Sequence, residues 1–165
     1  MIELHKEISD LLSTAEEDRF SSAIEARKKA MVFLARREYG QTELVNKLVN
    51  KGYMRQVAEQ AIVELTAAGL QSDQRFAANF VRSRISQGKG PVRMRSELGQ
   101  RGIDSIGIKQ AIEATGADWD ELACEVRLKK FGDARPVDFK AKARQMRFLQ
   151  YRGFERDHIK AATGA

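Results

Sequence analysis

Three stretches decide the fold: ELVNKLVNKGY (43–53), PVRMRSELGQRGI (91–103) and KARQMRFLQYRGF (142–154). Aligning Gly52, Gly102 and Gly153 superposes Leu48, Leu98 and Leu149, then Lys51, Arg101 and Arg152, then Tyr53, Ile103 and Phe154. The shared ending has a physical reading. Leucine packs the last turn of a helix, a base faces its negative C-terminal end, glycine takes the left-handed position beyond it, and a hydrophobe closes the turn. Gly40 and Gly90 align as well, and each of the three units runs to a small-residue stop at Ala68-Gly69, Thr115-Gly116 and Thr163-Gly164.

Outward from these endings, apolar residues recur at three and four. Ala23, Ala26, Ala30, Phe33 and Leu34 form one stripe; Val57, Ala61, Leu65 and Ala68 another; Trp119, Leu122, Ala123 and Val126 a third. No alternating run reads as a strand. Both prolines precede or open helices: Pro91 at a first helical position and Pro136 just before a cap at Asp138. Asp118 followed by Glu121 fits a helix start. The fold class is therefore all-α: tandem three-helix repeats, about nine helices, stacked into an elongated, curved array. The predicted helices are 22–38, 42–51 and 54–68; 73–87, 91–101 and 104–114; 118–130, 138–151 and 155–163. The domains follow as an acidic N-terminal segment 1–20, read as a mobile tail or a partly ordered segment with the solvated tail favoured, and repeats 21–70, 71–116 and 117–165. One fifty-residue triplet buries little surface alone, so neighbouring units are expected to support one another.

The 165 residues carry 29 Lys+Arg against 23 Asp+Glu, a net charge of +6. Residues 1–20 hold six acids (Glu3, Glu7, Asp10, Glu16, Glu17, Asp18) and two bases, a local −4, while the three repeats carry +3, +4 and +3. A basic body behind an acidic start leans toward polyanions or a partner already bound to one. One cysteine, Cys124, excludes an internal disulfide framework and fits a reducing, cytoplasmic setting. The charged start MIELHKEISD is not a secretory signal, and no apolar run approaches membrane-span length.

Catalysis finds no constellation. GKGP (88–91) lacks the spacing of a phosphate-binding loop, His5 and His158 are far apart, and Cys124 reads as a packed small hydrophobe. Asp118, Asp120 and Glu121 read as helix-start acids. No enzyme, metal or cofactor is expected. The bases say more. Arg82, Arg84, Lys89, Arg93 and Arg95 form a stretch without an acid, and nine bases face two acids between Arg127 and Arg152. On a helix Lys140, Arg144, Arg147 and Tyr151 share one stripe, nearly opposite Met146 and Leu149. For any single arginine a solvated face is the simpler reading; together these make a polyanion- or partner-facing surface with one aromatic for stacking. Phe76, Phe80, Val81, Tyr53 and Phe148 read as core or cap residues.

Three segments together resemble the RecX family, bacterial modulators of the RecA recombinase. They are LARREYGQTELVNKLVNKGY (34–53), SDQRFAANFVRSRISQGKGPVRMRSELGQRGI (72–103), which is the most specific, and KARQMRFLQYRGFERDHI (142–159). Ser72, where an acid is frequent, and Gly107, inside the sixth predicted helix, are small departures. The resemblance implies a protein that lodges in the groove of a RecA filament on single-stranded DNA, opposes extension, and lowers ATP hydrolysis, strand exchange and co-protease activity. The site residues it suggests, for recombinase or DNA, are Arg82, Arg84, Lys89, Arg93 and Arg95 with Lys140, Arg144, Arg147 and Arg152; Arg101 and Arg152 have a competing role at helix ends. The expected partners are the RecA filament and single-stranded DNA, directly or through the filament, for a chain that is itself a monomer and touches no membrane. The rival readings are a helix-turn-helix-like DNA-binding regulator and a structural adaptor.

Overall fold

The structure, a computed structural model, describes residues 2–164, without the side chains of residues 2, 16 and 17. It is all helical, with ten helices and no strand among the described residues. They are α1 (Ile2–Ser21), α2 (Ala23–Leu34), α3 (Gln41–Val49), α4 (Arg55–Ala67), α5 (Asp73–Ser86), α6 (Pro91–Gln100), α7 (Ser105–Glu113), α8 (Trp119–Phe131), α9 (Phe139–Arg152) and α10 (Arg156–Thr163). None is long and apolar enough to cross a membrane.

Nine of these stand where the periodicity puts them, and the tenth is α1. The acidic first segment, read as a solvated tail, is helical in the structure, while Leu4, Ile8, Leu11 and Leu12 on it stay exposed. Only its end is tied down. Phe20 meets Tyr53 edge-on at 5.3 Å, and the Phe20 carbonyl accepts from the Met54 N–H at 3.4 Å. A second departure is α2, which stops at Leu34, four residues before the predicted end. Tyr39 causes it: its ring turns into the core, Arg37 lies over it at 3.6 Å and pairs with Glu43 at 2.9 Å, and the Gln71 amide donates to its carbonyl at 3.1 Å. These contacts hold 35–40 off the helical path.

The repeated ending is built the same way three times. Leu48, Leu98 and Leu149 are fully buried. Tyr53, Ile103 and Phe154 each return an N–H to that leucine's carbonyl, at 3.2, 3.1 and 3.2 Å, across glycines with φ of +99°, +83° and +93°. This is the Schellman turn, and the returning hydrophobe is itself buried in every copy. Burying each such side chain contributes roughly 1.5–3 kcal/mol.

The chain divides into two compact units, residues 1–73 and 74–165. The first holds α2, α3 and α4 around a core that includes Ala26, Leu44, Leu48, Ile62 and Leu65. The second holds two cores. Phe76, Val81, Met94, Leu98, Ile108 and Ile112 form one, with Trp119 of α8 packed on it; Ala123, Leu149, Phe154 and Ile159 form the other. The latter is supplemented by buried polar groups, since Arg127 and Gln145 lie inside it, 3.4 Å apart.

Within the second unit the two triplets meet through backbone. The Gly90 N–H donates to the Arg152 carbonyl at 2.9 Å, and the Val92 N–H to the Gly153 carbonyl at 3.0 Å. A helix start leaves unpaired N–H groups and a helix end unpaired carbonyls; here the start of α6 and the end of α9 satisfy each other. Gly90 permits the approach, because a Cβ there would overlap the Gly153 carbonyl. Several other helix starts use side chains. Asp118 accepts from the Glu121 N–H at 2.9 Å, Asp138 from Ala141 at 2.6 Å, Asp104 from Gly107 at 2.7 Å, and Asp73 from Gln41 at 2.8 Å. At α10 the His158 Nδ1 accepts from the Glu155 N–H at 3.2 Å.

Candidate functional site

The five second-triplet bases do not share one environment. Arg82 is exposed and hydrogen-bonded to Asn79 one turn back. Arg84 and Arg93 converge on one carboxylate: Arg84 Nε lies 2.5 Å from Glu97 Oε2, and Arg93 Nε 2.8 Å from Glu97 Oε1. Arg84 also lies over the Phe80 ring at 4.4 Å. Arg93 reaches the third triplet, lying 5.5 Å from the Tyr151 ring centre and donating to the Tyr151 carbonyl at 3.4 Å. Arg95 pairs with Glu155, also across that joint. The acid-free stretch thus meets its counter-charges just beyond its end, at Glu97, and sixty residues away, at Glu155.

The electrostatics follow from these contacts. Loss of solvation pushes the Glu97 carboxyl up, but hydrogen bonds from Arg93 and Arg84 and their charges outweigh it and hold the group below the usual carboxylate range. The hydrogen bond from Arg95 does the same for Glu155 against a smaller solvation loss. Lys89 is moved the other way. Desolvation first, then the charges of Arg152 and Arg93, lower its ammonium from the usual lysine value, and Glu97 only partly offsets them. Lys89 therefore feels the charges of Arg152, Arg93 and Arg84, with Glu97 in opposition.

In the third triplet, Lys140, Arg144, Arg147 and Tyr151 all face solvent along one side of α9, while Leu149 is buried and Met146 half-buried on the other. Arg144 lies 5.5 Å from the Phe131 ring centre. None of the three bases meets a carboxylate among the described residues. Arg152 leaves this stripe. It is half-buried, lies 5.6 Å from the Phe148 ring centre, and its Nε is buried without a hydrogen-bond partner.

Beside Arg152 the second unit opens a cleft of about 800 Å³. Its apolar walls are Ile85, Leu122, Val126 and Phe148; Gly88, Arg152, Lys129, Lys130 and Glu125 also line it, with Ser86 and Gln87. Sequence reasoning did not single out Lys129, Lys130 or Glu97 as members of one site. The Glu97 link to Arg93 had a readable signal in their four-residue spacing; the others depend on tertiary placement. Among the described residues no group of three or more His, Cys, Asp or Glu side chains is arranged to hold a metal ion.

Comparison with known proteins bears on this geometry. Three family models match in order: the first RecX three-helix domain over residues 26–65, the second over 72–112 and the third over 118–163. The regulatory protein RecX of Pseudomonas savastanoi pv. phaseolicola is 43% identical over 136 residues, covering 82% of this chain and 88% of that protein. That of Stenotrophomonas maltophilia is 40% identical, covering 82% and 83%. In solved structures, a crystal structure of regulatory protein RecX superposes with a TM-score of 0.75 at 21% identity, covering 95% of this chain and 77% of the other. RecX from Lactobacillus salivarius gives 0.71 at 18% identity, covering 85% and 93%. These likenesses confirm the three-helix repeats, and with the sequence matches they make the assignment plain: the chain belongs to the RecX family of regulatory proteins.

Proposed function

We propose that this protein binds RecA filaments on single-stranded DNA, occupies the filament groove and opposes extension, and so lowers ATP hydrolysis, strand exchange and co-protease activity. It does this by binding, as a cytoplasmic monomer and without chemistry of its own. The observation that carries the reading is the α9 stripe, where Lys140, Arg144 and Arg147 face solvent beside an exposed Tyr151 with no carboxylate engaging them. Such a face suits a surface that displays phosphate and protein together. Arg82 is similarly open. Arg84, Arg93 and Arg95 are engaged by Glu97 and Glu155, which assigns them first to holding the surface in shape. Inhibition requires that the protein prefer a filament state unable to grow or cycle, since equal affinity for all states shifts nothing.

The test is single-stranded-DNA-dependent ATP hydrolysis by a cognate RecA, with this protein titrated in below stoichiometry against an equally basic unrelated protein. A saturating, specific fall is expected, and K140A/R144A/R147A should weaken it about tenfold while leaving helicity intact. No fall, with filaments present and the protein folded, overturns the reading. Selection of one duplex over competitors at fixed salt would instead install a helix-turn-helix-like DNA reader.

A further inference from the structure

The cleft beside Arg152 has a composition that neither the α9 stripe nor the repeat packing uses. Its lining carries cations. Arg152 and Gly88 line it, and Lys89 follows Gly88 in the chain. Arg152 brings a buried Nε with no acceptor, a donor that lacks the partner buried donors ordinarily have. The charges near Lys89 are arranged so that its ammonium is crowded by Arg152, Arg93 and Arg84 with only Glu97 in opposition. An added anion of charge −1 or −2 would relieve all of these at once. Apolar groups line the same space: Ile85, Leu122, Val126 and the ring of Phe148, whose centre lies 5.6 Å from the Arg152 guanidinium. Lys129 and Lys130 supply cations along α8, and Glu125 is the one acid lining the space.

A site lined by cations together with apolar and aromatic side chains fits an anion attached to a flat apolar group. A bare inorganic anion would leave the walls unused, and an apolar ligand would leave Arg152 and Lys89 unrelieved. We propose that this cleft is a nucleoside-phosphate site: Arg152 and Lys89 take the phosphate, and Phe148 with the aliphatic wall takes the base. The ligand is either one residue of a single strand or a free nucleotide. This deepens the polyanion reading above by giving it a pocket, but it concerns the free protein and needs no recombinase.

The experiment uses the full-length chain labelled with ¹⁵N and follows the Gly88 amide while thymidine 5′-monophosphate, thymidine, inorganic phosphate and pentathymidylate are titrated at fixed salt. Thymidine monophosphate is expected to shift Gly88 at concentrations where thymidine and phosphate alone do little. R152Q and K89Q should each weaken it about tenfold, the loss of one charge-assisted contact. K89Q removes a crowded cation, so it should keep the fold even where R152Q does not, as Trp119 fluorescence reports. K140A/R144A/R147A should bind the mononucleotide as the parent does. Pentathymidylate binding tenfold or more tightly at the same amide identifies a strand as the source; equal affinity identifies a free nucleotide. Phosphate binding as well as the nucleotide, unchanged binding in K89Q, or no shift with any probe overturns the pocket. Loss of recombinase inhibition with nucleotide binding retained would strike the proposed function and leave this site standing.

Discussion

The first and third triplets close on the same turn and rest on different interiors. Among the described residues, eleven hydrophobic side chains are buried in the first core and four in the third, where Arg127, Gln145 and Thr163 are also buried. With a turn that does not change, the difference lies in what the helix faces are used for. The first triplet turns them on itself. The third commits part of them to its neighbour, through the Gly90–Arg152 and Val92–Gly153 backbone bonds, the seat of Trp119 on the second core, and the Arg95–Glu155 pair. One sequence pattern thus sustains both a self-contained triplet and one that is completed from outside.

The aligned glycines Gly52 and Gly153 should show this most strongly. Both have a positive φ, so alanine strains the backbone at each. At Gly52 the new methyl meets only the Phe20 ring at 3.2 Å, whereas at Gly153 it would run into the backbone nitrogen of Arg93 at 2.7 Å and overlap its Cβ. G153A is expected to cost about 4 kcal/mol and G52A about 2 kcal/mol. Trp119, the sole tryptophan, reports the second unit in thermal unfolding, and helical circular dichroism reports both. Equal costs would mean that the joint between triplets yields easily.

The next contrast is at the helix starts. Asp73 accepts from the Gln41 N–H and from the Gln71 amide at 2.9 Å, so D73A should lower first-unit stability by about 1–2 kcal/mol, read as faster hydrogen exchange at Leu44 and Val45. The corresponding start of α6 has no side-chain cap to delete. Protection there should survive truncation of the exposed Val92 and fail in G153A.

The smallest effect concerns acid. Glu97 is held below the usual carboxylate range by Arg93 and Arg84, so its contribution is fully present above its unfolded value, about 4.3, and disappears as pH falls through the lower folded value. Against E97Q the parent should be more stable by about 1 kcal/mol at pH 7, with the gap closing below about pH 4. Denaturant midpoints followed at Trp119 would show it. A gap that grows in acid would invert the assignment.

What was readable in the chain is what neighbouring residues decide. Turn closure by Leu48, Gly52 and Tyr53 and their counterparts, caps at Asp118 and Asp138, and Pro91 at a first turn are all set within a few positions, and the helices stand accordingly. The early stop of α2 was not readable because Tyr39 is drawn in by Gln71, thirty-two positions on. The helix α1 was missed although Leu4, Ile8, Leu11 and Leu12 recur at helical spacing, because the acids around them read as a solvated segment; in the structure the four stay exposed. For the basic surface, the periodicity of α9 was enough to place Lys140, Arg144 and Arg147 together in solvent. It was not enough to show that Arg95 would find Glu155, or that Arg152 would turn to the cleft. Those placements belong to the joint.

The mutual capping of α6 and α9 also bears on how the chain is made. The start of α3 finds its cap within the first unit, because Asp73 follows shortly after α4. The start of α6 must wait for carbonyls some sixty residues downstream, an interval of several seconds at roughly 5–20 residues per second. During that interval the nascent second triplet carries open amides and an unseated core face. Arg152 and Gly153, at the end of α9, are the residues that lock it.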